Sequence, residues 1–600
     1  MTSATLDMST DATATRARTS GWRPVALVLA PAGLLIAGSL VGLLGTLDTR
    51  VAHERLIGLV LATVLVTLAV AALPRAAANS WTLPAAALVA LLGGVWVIAA
   101  TGADVFRGPL GVALAALFRP LFGLARVTDS VDIANTRFIV GYNGLADLCL
   151  VATFTAAAGL TRRPSRGLTW LLATIGLAAL VLLLGTGSRG GLNGLAAGIG
   201  LIGLFAWPRR YALLVLAAAP LAAALVMVGA LDKGLEFSST SGRVAYWADL
   251  ARLLVEYPLT GVGLGVSTAN RVALAYEINP DPERIFYAHN TFVQAYLEQG
   301  PLGAVGMLLA PLLAILAVGY GRKLGVTDGR RPLLLAGLGS MGALQAHGLT
   351  DQVVTTNVGT GLVLLALAAI VVSLTPAGQA ALYNALARGL LALLAAATVL
   401  GALLLVLPAG RGQVLLDLGG LQLNRALSMD PQGPGRAMAL AEAEATLSLA
   451  LAQAPEHAGV LRNLARVRSA RFDDVGALEA LRRAAESPRL DAFDMLQIAH
   501  VYRDAGFAAE AYAWASRAYS ARGRPPEDSV MRVYAENTLT SDEGGHRART
   551  LAEQAEAAMR ARSFGEAAEL FRQALAFKPE SVYLQDRLGA AERAVARYGP

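Results

Sequence analysis

Residues 167–206 read GLTWLLATIGLAALVLLLGTGSRGGLNGLAAGIGLIGLFA, forty residues that carry a single charge, that of Arg189. A helix needs about 20 apolar residues to cross the roughly 30 Å hydrocarbon core of a bilayer. The stretch is long enough for two such helices, with a glycine-rich turn between them. It therefore predicts two membrane-spanning helices joined by Gly185–Gly191, with an arginine in the turn.

Similar apolar runs recur through the first two-thirds of the chain, and we count about 11 predicted spans. They cover residues 24–47, 56–73, 81–102, 138–160, 167–187, 190–206, 211–231, 299–321, 332–350, part of 352–387, and 389–410. The first run is longer than the roughly 7–15-residue apolar region of a signal peptide, so we interpret it as a retained anchor. Residues 1–23 before it are predicted to be a disordered tail.

The composition divides the chain into an apolar region and a charged, soluble region. Of 600 residues, 55% are hydrophobic and 16% charged, whereas a soluble protein carries about 25% charged residues. Residues 411–600 hold 24 of the 50 Arg and Lys and 25 of the 43 Asp and Glu. The fold class predicted is all-α, a polytopic membrane helix bundle followed by a soluble domain. Disorder of the whole chain is excluded by its hydrophobicity, and a disulfide scaffold by its single cysteine, Cys149.

The placement of Arg and Lys predicts the topology, because cytoplasmic loops are enriched in both. With Arg16, Arg18 and Arg23 inside, the inner connections carry Arg75, Arg162, Arg163, Arg166, Arg209, Arg210, Arg322, Lys323, Arg330, Arg331 and Arg388. The short outer connections carry only Arg50, Arg55 and Arg189. This predicts a multi-pass protein of the plasma (inner) membrane whose transmembrane domain is 24–410. Residues 232–289 form a large external loop, and the C-terminal tail is external as well. The apolar stretch 108–125 contains Arg119 and Pro120 and is predicted to lie in the interface.

The soluble tail contains an internal repeat. Ala443, Ala477 and Ala511 are 34 residues apart, and Ala450, Ala484 and Ala518 repeat the spacing seven residues later, as do Ala465 and Ala499. An imperfect unit follows at Ala567, Ala574 and Pro579. A 34-residue period with small residues at helix crossings resembles tetratricopeptide (TPR) repeats. We predict a TPR-like α-solenoid over 430–600, the alternative being a generic alanine-rich bundle. Its near-neutral charge argues against nucleic acid as a partner and leaves another envelope protein or an acceptor.

Three places next to predicted spans are candidate functional sites. Ionisable groups within or beside spans cost free energy, and those that are present usually serve a function. In Ser188-Arg189-Gly190, glycines leave backbone N–H groups open to an anion, although a tight turn with a snorkelling arginine fits as well. Arg243 falls in the first turn of a predicted amphipathic helix that carries Tyr246 and Trp247. A cation there is unfavourable unless an anion joins it; the alternative is an ordinary surface arginine.

The third place is His289-Asn290, directly before the predicted span that starts near Thr291 and has 299–321 as its charge-free part. The pKa of free histidine, about 6.5, suits a general base at neutral pH, and a structural interfacial histidine is the alternative. A metal site is not predicted, because no His, Cys or carboxylate stands three or four residues from His289. His347 and Asp351 are four apart and could pair or hold a cation, and Asp147 is predicted to be a polar bundle contact. The Gly261-x-Gly263-x-Gly265 motif lacks the strand and acidic residue of a dinucleotide site, so we predict a chain turn.

The order of these motifs resembles the O-antigen ligase and polymerase superfamily, most strongly over 185–305. The pattern is an outward Ser-Arg-Gly turn, an external loop with Arg243 before Tyr246 and Trp247, Pro258-x-x-Gly261-x-Gly263-x-Gly265, His289-Asn290, and Glu298-x-Gly300-x-x-Gly303. The resemblance implies transfer of glycan from an undecaprenyl-diphosphate carrier to an acceptor hydroxyl outside the plasma membrane, with no cofactor or metal. It implies that Arg189 and Arg243 hold the diphosphate and that His289 is the base, with Ser188, Tyr246, Trp247 and Asn290 as substrate-binding neighbours.

Elementary chemistry agrees with that assignment. Diphosphate is a good leaving group, so the protein must mainly neutralise the charge that develops on it, which arginines can do. Attack opposite the leaving group predicts inversion at the anomeric carbon. The acceptor stays open among a lipid-core sugar, a second carrier-linked glycan and a protein Ser or Thr. Outside this class, a transporter would need inverted repeats of spans, which the sequence lacks, and 11 spans are excessive for a membrane-tethered TPR scaffold.

Overall fold

The computed structural model is helical almost throughout. It describes residues 9–76, 79–101, 108–122, 141–208, 210–211, 240–275, 287–326, 328–350, 357–431, 433–486, 490–504, 507–521, 543–579 and 581–598. In these ranges the only β-type pairing is the isolated bridge between Val326 and Leu374. The predicted all-α fold class is therefore confirmed.

The apolar part of the chain and the tail each form a series of helices. The first series is α1 (Ser9–Gly42), α2 (Thr49–Ala76), α3 (Thr82–Thr101), α4 (Gly108–Phe122), α5 (Gly141–Leu160), α6 (Arg166–Gly185), α7 (Arg189–Ala206), α8 (Thr240–Glu256), α9 (Val266–Ala275), α10 (Thr291–Leu324), α11 (Arg331–Gly348), α12 (Asn357–Ser373) and α13 (Pro376–Val406). The second is α14 (Pro408–Leu427), α15 (Pro434–Gln453), α16 (Ala458–Ala470), α17 (Asp474–Ala485), α18 (Ala492–Asp504), α19 (Ala508–Ala521), α20 (Glu543–Ala561), α21 (Phe564–Phe577) and α22 (Val582–Tyr598).

Seven of the described helices are long and apolar enough to cross a membrane, namely α1, α2, α5, α6, α7, α10 and α13. The apolar parts of α3 and α12 are shorter. Helix α11 coincides with the predicted span 332–350 and is buried along most of its length, at the centre of the bundle. Of the predicted span 211–231, only Tyr211 is among the described residues. The chain is thus a multi-pass membrane protein.

The structure corrects the predicted boundaries of the last spans. The sequence places a break at Arg388, but that residue lies inside the continuous helix α13. The break comes earlier, between α12 and α13. There the Thr375 side chain caps α13 by accepting from the Gly378 N–H, and Pro376 occupies the first helical turn, a position that proline favours because it has no N–H to leave unpaired.

Three further segments differ from or refine the prediction. Helix α1 begins at Ser9, inside the 1–23 segment predicted to be disordered; alanines and arginines extend an established helix at little cost. Helix α4 covers 15 residues, fewer than the roughly 20 that a span needs, in keeping with an interfacial helix. Residues 411–429, between the predicted domains, lie mostly in α14, which packs against α15. The packed tail therefore starts earlier than the predicted 430.

The bundle has two distinct ends. At one, which we call the basic end, arginines bind backbone carbonyls of neighbouring helices. Arg322 donates to the carbonyls of Leu204 and Trp207 at the end of α7, and Arg330 donates to the carbonyl of Val372 at the end of α12. Cations are favoured at helix C-termini. These arginines are among those predicted to be cytoplasmic, and α7, α10 and α12 all end here.

The opposite end, which we call the site end, is set by the close packing of α7 on α11. A Cβ on Gly194 would lie 2.7 Å from the Ala343 carbonyl oxygen, and one on Gly198 would lie 2.5 Å from that of Gly339. Only glycine allows such an approach, as in small-residue contacts between membrane helices. The packing brings Arg189, at the start of α7, beside the end of α11.

The tail stacks helices so that its repeating alanines are buried. Those at 443, 450, 465, 477, 484, 499, 511, 518, 567 and 574 are each at most 1% exposed. The 34-residue spacing corresponds to two helices, because Ala443 lies in α15, Ala477 in α17 and Ala511 in α19. The alanines thus serve as close contacts between helices, as the sequence predicts. That the repeat is of TPR type remains a prediction.

Candidate active site

The start of α7 is fixed by Ser188. Its hydroxyl accepts from the Gly191 N–H at 3.0 Å and donates to Asn143 Oδ1 on α5 at 2.8 Å. Ser188 is buried, whereas Arg189 is exposed at the positive end of the helix. A Cβ on Gly190 would lie 2.4 Å from His347 Cδ2. The predicted Ser-Arg-Gly turn is therefore pressed against the C-terminus of α11.

The start of α10 meets the same end of α11. Asn290 caps α10 by accepting from the N–H groups of Phe292 and Val293, and its Nδ2 donates to the Leu349 carbonyl at 3.1 Å. A Cβ on Gly348 would lie 2.9 Å from Thr291 Oγ1. The N-termini of α7 and α10, which are the positive ends of their dipoles, thus both lie at the C-terminus of α11. Helix N-termini attract anions through their open N–H groups and dipoles.

His289 is held by its neighbours just before α10. Its backbone has φ 48°, in the left-handed region, which is uncommon outside glycine and clusters at functional sites. The adjacent Ala288 is fixed on both sides. Its N–H donates to Gln294 Oε1 at 2.8 Å and its carbonyl accepts from Trp247 Nε1 at 2.6 Å. The ring of Tyr287 lies 4.4 Å from that of His289, centroid to centroid.

Helix α8 carries the remaining predicted residues. Trp247 joins α8 to the His289 segment through its bond to the Ala288 carbonyl. Tyr246 is 3% exposed in a core shared with Leu250, Leu253 and Tyr257. Arg243 lies in the first turn of α8, but its side chain is outside the described part of the structure.

Each of the four predicted substrate-binding residues is engaged within the protein. Ser188 and Asn290 cap helices, Trp247 bonds a carbonyl, and Tyr246 packs in a core. Their described contacts shape the site, and their contact with substrate stays a prediction.

A buried histidine and aspartate were not foreseen as a pair. His347 Nδ1 lies 2.7 Å from Asp147 Oδ1, and His347 Nε2 lies 3.4 Å from Ser188 Oγ. The sequence suggested that His347 and Asp351 pair or hold a cation; Asp351 lies outside the described residues, so that prediction stays open, and Asp147 lies at Nδ1. Ionisable residues within spans usually pair with one another. Applied to the spans that carry Asp147 and His347, that rule would have predicted the pair from the sequence.

A second buried ion pair supports the His289 segment. Arg55, at the start of α2, lies 2.5 Å from Glu298 on α10, and the Glu298 side chain is 1% exposed. Gln294 Nε2 donates to the other Glu298 oxygen at 2.6 Å. Because Gln294 also holds Ala288, a continuous set of polar contacts runs from Arg55 to the residue before His289.

The Gly-x-Gly-x-Gly segment is a chain turn, as predicted. Gly261, Gly263 and Gly265 have φ of 67°, 122° and 107°. The turn binds two helices, because the Val262 N–H donates to the Leu297 carbonyl at 2.7 Å and the Leu264 N–H to that of Gly42 at 2.8 Å. It thus locks the end of α8 onto α1 and α10.

Comparison with known families bears on these residues directly. Residues 174–308 match the O-Antigen ligase family model. The O-antigen ligase match includes Arg189, Arg243 and His289, and it supports the resemblance drawn from the motifs. It supports a membrane glycosyltransferase-like role of ligase or polymerase type in polysaccharide biosynthesis. No curated protein matches the chain.

The arrangement offers a cation, helix N-termini and a histidine at one end of the bundle, flanked by apolar helix surfaces. Among the described residues, no group of three His, Cys, Asp or Glu side chains is placed to hold a metal ion.

Proposed function

We propose that the protein transfers a glycan from an undecaprenyl-diphosphate carrier to an acceptor hydroxyl at the outer face of the plasma membrane. The observation that carries the proposal is the meeting of α7, α10 and α11 at the site end. It puts the Ser188-Arg189 turn and the His289-Asn290 segment against the same helix terminus, inside the region that matches O-antigen ligases.

In the proposed reaction, the acceptor oxygen attacks the anomeric carbon of the donor as His289 takes the hydroxyl proton. The bond from that carbon to the diphosphate oxygen breaks, and the carrier diphosphate leaves with the bonding electrons. Arg189 and Arg243 stabilise the charge on the diphosphate. Attack from the side opposite the leaving group inverts the anomeric configuration.

The sidedness of the arginines supports an external site. The arginines that bind helix C-terminal carbonyls lie at the basic end, and basic residues favour the cytoplasm. The site end therefore faces outward in this proposal. The oily carrier reaches it laterally from the outer leaflet, and the tail, which follows α13 at the site end, is external as well.

Alanine variants of Arg189, Arg243 and His289 test the proposal. We expect each to lose at least about 100-fold in transfer from a lipid-diphosphate glycan, as for removal of a general base or an oxyanion contact, while membrane insertion stays normal. Arg50→Ala is the matched control, because Arg50 also lies at the site end but its side chain is 76% exposed and pairs with Glu54. Normal transfer in all three variants would refute the proposal.

The acceptor is identified in a deletion strain. Long carrier-linked chains that accumulate indicate loss of a ligase that uses a lipid-core acceptor. Single short repeats indicate loss of a polymerase. Disappearance of glycan from a protein, with lipid-linked glycan unchanged in length, indicates an oligosaccharyltransferase.

A further inference from the structure

The loop helix α8 is packed between the membrane domain and the tail. On one side, Trp247 bonds the Ala288 carbonyl and Leu297 of α10 lies in the same core. On the other side that core includes Leu421 of α14. The tail therefore supplies part of the hydrophobic surface on which α8 rests.

Polar contacts fix the C-terminus of α8 to α14. The Tyr257 hydroxyl accepts from Asn424 Nδ2 at 2.8 Å. The Leu259 N–H donates to Asp417 Oδ2 at 3.1 Å, and Asp417 is 1% exposed. A Cβ on Gly420 would lie 2.9 Å from the Tyr257 ring, so the two surfaces meet without room for another atom.

Charged contacts join α8 to the repeats themselves. Arg462 of α16 is fully buried and pairs with both Glu256, the last residue of α8, and Asp494 of α18. Arg252 of α8 lies 3.2 Å from Asp491. An arginine can bind two carboxylates at once through its planar donors. Removing one partner of a buried pair is strongly unfavourable because the other charge stays buried.

From these contacts we infer that the tail is a positioning element of the transferase. Arg462, which pairs with Glu256 of α8, and Asp417 hold α8 in place beside His289. Arg243 and Trp247 are positioned with it. The inference rests on the proposed function, since it concerns how the donor site is held. The contacting residues are positioning residues, because none of them is at the site. A tail that only recruited partners would have no need of a buried contact with α8.

The test uses the full-length protein in proteoliposomes with a lipid-diphosphate glycan donor. Glu256→Gln removes the charge that α8 offers to Arg462 and leaves the Arg462–Asp494 pair of the repeats intact. We expect kcat/KM for the donor to fall about 10- to 100-fold, because small displacements at a site are costly, with the KM of the acceptor unchanged. Amide hydrogen exchange in α8 should become faster.

Arg462→Gln should reproduce both effects, and because it also breaks the Arg462–Asp494 pair it should be the poorer single variant. The double variant should be no worse than Arg462→Gln alone, because both changes remove the same Arg462–Glu256 contact. Arg468→Gln is the matched control. Arg468 lies on the same helix as Arg462 but pairs with Glu444 inside the repeats, so donor kinetics and α8 exchange should match those of the unaltered protein.

If His289→Ala is inactive but Glu256→Gln has unchanged donor kinetics and unchanged amide exchange in α8, the inference is overturned and the proposed function stands. If the unaltered protein transfers no glycan, the proposed function fails. Amide hydrogen exchange in α8 then tests by itself whether the tail holds α8 in place. Faster exchange in α8 of Glu256→Gln but not of Arg468→Gln supports the positioning role of the tail, and equal exchange refutes it.

Discussion

His347 Nδ1 lies 2.7 Å from Asp147 Oδ1, 200 residues away in the chain, and neither side chain is more than 6% exposed. The pair joins α11 to α5, and through Ser188 it reaches the start of α7. A buried charged or hydrogen-bonded pair that loses one member leaves the other without compensation.

We therefore expect Asp147→Ala to destabilise the protein by about 1–3 kcal/mol, the cost of leaving a buried polar group without its partner, and to lower transfer through displacement of Arg189. Asp147→Asn, which can still accept a hydrogen bond from His347, should lose clearly less. Thermal unfolding in detergent and transfer assays measure the two effects. Equal stability of Asp147→Ala and the unaltered protein would show that the pair is not structural.

Gln294 is expected to control His289 without contacting substrate. Gln294→Leu removes the acceptor of the Ala288 N–H and the donor to Glu298, so His289 loses its support. We expect transfer to fall about 10- to 100-fold, measured as donor and acceptor kinetics. Gln299→Leu is the control, because Gln299 is buried on the same helix but bonds Ser39 of α1. Equal losses in the two variants would mean that any buried glutamine on α10 matters equally.

Asp417 gives the junction between α8 and the tail a defined pH dependence. Burial raises the pKa of Asp417 from 3.8 to about 6. The folded protein thus binds the proton more tightly than the unfolded chain, so this contribution to stability is complete below pH of about 4 and is lost as the pH rises through about 6. The loss corresponds to about 2–3 kcal/mol. Asp417→Asn should lack it.

The measurement for Asp417 is the difference in unfolding temperature between the unaltered protein and Asp417→Asn at pH 5 and pH 7.5. The difference should grow in favour of Asp417→Asn at the higher pH. A difference that does not vary with pH would contradict the raised pKa.

The buried alanines of the tail should not accept larger side chains. Ala443 is fully buried against α14 and α16, so Ala443→Leu should cost about 1–3 kcal/mol through overpacking. Ala445 on the same helix is exposed, and Ala445→Leu should be close to neutral. The unfolding midpoint of the tail in denaturant compares the two. Similar midpoints would indicate that α15 is not closely packed at Ala443.

The sequence was sufficient for the fold class and for the starts of the helices at Arg189 and just after His289, because spans and helix caps are local properties. It missed the Asp147–His347 and Arg55–Glu298 pairs, since each joins residues about 200 or more positions apart that meet only when the bundle closes. The break before α13 was within reach. Thr375-Pro376 is a helix-start signal, but the arginine at 388 outweighed it in the topology argument.

The contact of α8 with α14 has a consequence for biogenesis. Asn424 follows Tyr257 by 167 residues, and Arg462 follows Glu256 by 206. During synthesis, the loop helix leaves the ribosome well before the segments that hold its far side exist. Chains generally fold from the N-terminus as they are made. Helix α8 therefore adopts its final place only after α14 and α16 have been made and have packed against it, so a chain interrupted before residue 408 is inserted but immature.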